Sequence, residues 1–103
     1  MKFLALLTPA ANRIPAEFAP YAVEEQQMVW ADYRSGLLRE FYFQARPLVV
    51  TLVYEAADVA SVAAALDALP MVKAGLLERQ LVELGPLLPL EVVFDKTLMP
   101  SGQ

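Results

Sequence analysis

The chain has 103 residues, 57% of them hydrophobic, with eight basic and twelve acidic side chains and a formal charge of −4. It contains neither cysteine nor histidine, which excludes disulfides, thiolate nucleophiles, Cys/His zinc sites and imidazole-based acid-base catalysis. Its five arginines are scattered from Arg13 to Arg79, so the sequence offers no concentrated positive field for nucleic acid or an anionic membrane surface.

This length fits one domain, and so small a domain buries only about two thirds of the surface its unfolded chain exposes. The mean hydropathy is nevertheless positive, at +0.42. Surplus apolar surface calls for a partner, and a second copy of the chain is the simplest one.

Met1 to Ala11 imitates a secretory signal, with one positive charge, an apolar run and small residues. The run Phe3–Leu7 is shorter than the ~7 to 15 residues of a signal core, and reads instead as a first strand buried on both faces. No stretch approaches the ~20 apolar residues that span a bilayer, so no membrane is expected and the cytoplasm is the default compartment. From about Ala16 to Ser35, Ala19, Ala22, Val23, Val29, Trp30 and Tyr33 follow a spacing of three and four, which predicts one helix stopped by Gly36. Leu38–Gln44, aromatic and charged, reads as an edge strand, and Ala45-Arg46-Pro47 as a turn. Leu48–Tyr54 is β-branched and apolar without alternation, as in a central strand covered on both sides.

Asp58 is placed to cap a second helix through Val62, Leu66 and Leu69, which Pro70 ends; Met71–Gly75 is then a turn. Leu77–Leu84 carries the charges of another edge strand. Gly85-Pro86-Leu87-Leu88-Pro89 breaks the pattern and starts an apolar C-terminal arm from about residue 87, so that residues 1–95 form the domain and 96–103 a frayed tail. The order β-α-β-β-α-β with strands one and three central predicts an α+β, ferredoxin-like fold: a four-stranded antiparallel sheet with both helices on one face. The other face needs a cover the monomer does not supply. Packing a second copy against it gives a dimeric α+β barrel, a homodimer through the sheet face with the arm free to strap across the partner.

Candidate chemistry must come from Glu, Asp, Tyr, Lys, Arg or Ser. Glu25 lies on the flank of the first helix's apolar stripe, near Phe18 and Met28, where desolvation raises a carboxyl pKa toward that of a general base. Regular alternation in the second strand places Arg39, Phe41 and Phe43 on one face and Leu38, Glu40 and Tyr42 on the other. Arg39 is thus a candidate to bind a substrate carboxylate, the alternative being a cross-strand ion pair with Glu78 or Glu83. Trp30, Tyr33, Tyr42 and Tyr54 are candidates to line a cleft for a planar ligand, with Tyr42 donating its hydroxyl to a developing enolate; plain core is the competing role. Asp58 is a helix cap rather than a catalyst, and no residue pattern calls for a metal or cofactor.

Glu24-Glu25, Gly36-Leu37-Leu38-Arg39, Asp58-Val59-Ala60-Ser61-Val62 and Leu69-Pro70-Met71 together resemble the muconolactone isomerase family of dimeric α+β barrel proteins. The resemblance covers most of residues 2–86 and implies a small-molecule cleft between sheet and helices and a cofactor-free proton shift on an unsaturated lactone. The sequence departs from related members in having Glu40 after Arg39 and no histidine. Three functions follow: an isomerase or lyase acting on a small lactone or ring acid, with Glu25 as base and Arg39 as anchor; a cofactor-free oxygenase on aromatic polyketides or quinols; and a non-catalytic dimeric binding or scaffold protein.

Overall fold

The computed structural model describes residues 1–94, and the tail expected to fray over 96–103 lies outside the described residues. Its elements in chain order are β1 (Lys2–Pro9), α1 (Pro15–Phe18), a 3-10 turn (Ala19–Tyr21), α2 (Ala22–Arg34), β2 (Leu38–Ala45), β3 (Leu48–Glu55), α3 (Val59–Asp67), α4 (Pro70–Lys73), β4 (Leu77–Leu84) and a C-terminal 3-10 segment (Leu88–Val93). The strands form one antiparallel sheet in the order β2-β3-β1-β4, consistent with the ferredoxin-like arrangement. The two most apolar runs are the central strands, where the backbone is flanked by a strand on both sides. No helix among the described residues is long and apolar enough to cross a membrane.

The core lies on one face. Phe3, Ala5 and Leu7 of β1, Leu52 and Tyr54 of β3, Leu38 of β2 and Leu77 of β4 pack with Val62, Leu66 and Leu69 from α3 and the residues after it. Each buried Leu, Val or Phe among them stabilises the fold by roughly 1.5–3 kcal/mol through its removal from water. The reverse face carries Leu4, Leu6, Val49, Val53 and Val82, with Thr51 among them, and neither α2 nor α3 covers it.

Three local features depart from the expected pattern. The helix predicted over Ala16–Ser35 is broken: Pro20 has no N–H to donate to the carbonyl one turn back, so the chain tightens into a 3-10 turn between α1 and α2. Pro70 does not merely stop the second helix; it occupies the first position of α4, where a missing N–H costs nothing. Most consequential is β2. Leu38 opposes Tyr54 and Glu40 opposes Val53, leaving Arg39 as an extra residue in a bulge. The regular alternation expected across Leu38–Phe43 therefore fails, and Leu38, Phe41 and Phe43 share the helix-covered face while Glu40 and Tyr42 lie on the open one.

The ends of the helices follow their chemistry. Gly36 adopts φ +86°, the left-handed conformation that closes α2, with the Ser35 and Gly36 N–H groups donating to the Ala31 and Tyr33 carbonyls at 3.0 and 3.1 Å. The Asp58 carboxylate accepts from the Ser61 N–H and Oγ, each at 2.8 Å. Asp58→Ala is expected to cost about 1 kcal/mol, a fall in Tm of roughly 4–8 °C by circular dichroism.

Candidate functional site

A cleft of about 410 Å³ opens between the helix-covered face of the sheet and α2. Leu7, Val50 and Leu52 form its floor, and Leu48, Phe41 and Phe43 its β2-side wall. Phe18, Glu25, Gln26 and Val29 line it from α1 and α2, and Met71 and Leu77 bound it on the side of α4 and β4. The cleft exists because α2 turns unsuitable residues inward. Glu25 is buried, Asp32 half-buried two turns later, and only Met28 and Val29 between them bring apolar bulk to the core. A helix carrying two carboxylates on its inner side cannot settle onto the sheet as α3 does with Val62 and Leu66.

Glu25 is the one buried charged residue among the described residues, only 4% exposed. Its Oε1 accepts a hydrogen bond from the Met71 N–H at 2.9 Å, which fixes the carboxylate and satisfies a donor in the first turn of α4. Oε2 has no hydrogen-bond partner among the described residues, yet no side-chain oxygen there is both fully buried and unpartnered, so Oε2 retains contact with open space. Burial raises the Glu25 pKa, and the Met71 hydrogen bond offsets this only in part. Burial likewise raises the Asp32 carboxyl. Between them, the buried Tyr54 phenol is pushed up by desolvation first and then by the charges of Asp32 and Glu25, and it stays a neutral hydroxyl.

The remaining sequence-predicted residues are dispersed. Arg39 is outside the cleft: its Nε donates to the Gly36 carbonyl at 2.6 Å, and the bulge separates it from the face of Phe41 and Phe43. The alternative ion pair with Glu78 or Glu83 is also ruled out, since β2 and β4 are opposite edges of the sheet. Tyr42 reaches the rim of the cleft, but its hydroxyl donates to Glu40 Oε1 at 2.7 Å on the open face, and that hydrogen bond raises its pKa. Trp30 and Tyr33 lie on the flank of α2, 56% and 42% exposed, with ring centroids 5.7 Å apart; Tyr33 meets Phe41 edge to face at 5.2 Å. Of the six residues nominated, only Glu25 and Tyr54 share one electrostatic neighbourhood, and only Glu25 and Tyr42 touch the cleft.

Leu48, Val50, Leu52, Gln26 and Met71 were not singled out from the sequence. The first three carry a signal in retrospect, because alternate residues of a central strand must share a face with the helices. Met71 carries none, its contact with Glu25 joining residues 46 apart in the chain. Among the described residues no three acidic side chains converge as a metal site would require.

What the arrangement offers chemically is a largely apolar pocket holding one fixed carboxylate of raised basicity, with no cationic side chain among the described residues of its lining. No family model matches the chain, and no curated protein compared with it is similar.

Proposed function

We propose that the chain is a cofactor-free enzyme of the muconolactone isomerase type that shifts a proton within a small ring compound bound in the cleft, with Glu25 as the base. One observation carries this reading: a buried carboxylate with one oxygen anchored and the other free, at the wall of a cavity otherwise lined almost entirely by apolar side chains. Such burial raises proton affinity toward the range in which a carboxylate both takes and returns a proton near neutral pH. The ligand is better taken as a neutral lactone, enone or phenol than as a ring acid, because no arginine or lysine among the described residues lines the cleft to neutralise a second carboxylate. Gln26 is the one side-chain amide in the wall that can donate to a carbonyl oxygen.

The unit of function in this proposal is a homodimer, a dimeric α+β barrel closed over the open sheet faces. If the twofold axis runs parallel to the strands, the second sheet is superposed with its order reversed, so β4 of one copy lies beside β2 of the other. The strand directions alternate through β2-β3-β1-β4, and these two edges then meet antiparallel, closing an eight-stranded barrel without free edges.

Incubation with a panel of unsaturated lactones, cyclic enones and phenols in deuterium oxide tests the catalytic reading. Protein-dependent deuterium incorporation at the acidic carbon, followed by NMR, is expected with at least one class of compound. If compounds bind, perturbing the Val29, Leu48 and Met71 methyl signals, but none exchanges, the non-catalytic binding dimer is the better account. That second reading draws support from the hydrogen bond by which Glu25 already joins α2 to α4.

A further inference from the structure

Besides the open sheet face, two exposed apolar surfaces have no cover among the described residues. One is the C-terminal arm, where Leu87, Leu88, Leu90, Val93 and Phe94 are between 55% and 86% exposed. The other is the aromatic cluster of Trp30, Tyr33 and Phe41 on the flank between α2 and β2.

We propose that the arm of each copy docks on the Trp30–Tyr33–Phe41 cluster of its partner, an inference that rests on the dimer proposed above. The barrel symmetry brings the two surfaces together. Leu84, at the end of β4, pairs with Lys2, which pairs with Glu55 beside Tyr54, and Tyr54 faces Leu38 at the start of β2. The end of β4 and the start of β2 therefore lie at the same level of the sheet. When β4 of one copy lies along β2 of the other, the arm emerges next to the partner's β2, at the end of the sheet where α2 also finishes. A span of about 22 Å, from three extended residues and the six-residue 3-10 segment, is enough to round that edge onto the helix flank. On its own chain the cluster lies beyond the opposite edge, about 14 Å away across three strand spacings and then a full layer up.

Area favours the same occupant. Four strands of eight residues present a face of about 500 Å², so two stacked faces bury about 1,000 Å², below the usual range for a stable dimer. Burying the arm's apolar side chains, at roughly 60–100 Å² each, brings the total into that range. Because Phe41 also forms part of the cleft wall, a docked arm would seal the cleft on its β2 side.

Trp30 is the sole tryptophan and the chain lacks cysteine, which makes the test direct. Light scattering and tryptophan fluorescence are measured on the wild type and on a Leu87→Asp/Leu90→Asp variant. The wild type is expected to be a dimer with blue-shifted emission, and the variant to show red-shifted emission with acrylamide quenching raised several-fold. Unchanged emission and quenching in the variant overturn the docking while leaving the dimer intact; a monomeric wild type overturns the dimer on which it rests. Mixing Tyr33→Cys and Leu90→Cys chains and oxidising them is expected to give a disulfide-linked pair. A bond formed within one chain of the doubly substituted protein, and none between chains, overturns the exchange of arms.

Discussion

Glu25→Gln is expected to remove turnover while leaving the protein as stable or more stable above neutral pH. The substitution keeps the shape and the Oε1 that accepts from Met71, so α2 and α4 stay joined. What it loses is proton affinity, and a general base typically contributes 10²–10⁴-fold, so deuterium incorporation should fall by about that factor. The stability change follows from linkage. Glu25 binds its proton more tightly in the folded chain than in the unfolded one, so it contributes stability that is fully present below the ordinary carboxylate pKa and lost as pH rises through the raised value. The variant has no such loss. Thermal melts of the two proteins should therefore diverge with rising pH in favour of the Glu25→Gln variant. Glu17, Asp58 and Asp67, whose pKa values are lowered, act in the opposite sense, but equally in both proteins, so the difference isolates the substituted position. Equal melting differences at every pH would show that Glu25 is not held at raised affinity. Glu25→Ala should behave otherwise: it strands the Met71 N–H, a cost of about 1–3 kcal/mol on top of the same pH-dependent difference from wild type.

Leu6→Asp is expected to turn the proposed dimer into a folded monomer. Leu6 lies at the middle of the open face, opposite Thr51 and Gln80, and takes no part in the core on the helix side. A lone carboxylate trapped between stacked sheets costs about 3–5 kcal/mol, and twofold symmetry applies it twice, so the dissociation constant should rise by at least about 10⁴-fold. Light scattering at micromolar concentration reads this as a halving of mass, with the far-ultraviolet circular dichroism unchanged. A variant that stays dimeric would place the interface elsewhere than on this face.

The fold was largely legible because its determinants are local and redundant. Phe3–Leu7 and Leu48–Tyr54 declare central strands through unbroken apolar character, and Asp58 and Gly36 announce a cap and a stop by residue type. The site was legible only at Glu25, whose place on the flank of an apolar stripe is a property of helical spacing alone. Its burial was not readable, since it depends on α4 supplying the Met71 N–H. Pro70 reads equally as the end of one helix and the beginning of the next. Arg39 misled for a topological reason: a bulge leaves no trace in composition, and Leu-Arg-Glu-Phe-Tyr-Phe alternates as plausibly with the extra residue as without it.

That extra residue has a wider meaning. Leu38 and Phe41 stand three positions apart, an odd spacing that in a regular strand puts them on opposite faces; the bulge absorbs Arg39, so both turn toward the helices. Deleting Arg39 would leave Leu38, Phe41 and Phe43 on the helix side and Glu40 and Tyr42 on the open side, and would remove only the kink and the Arg39–Gly36 hydrogen bond. Arg39 is thus a spacer, and the lining of the pocket keeps its phase with or without it.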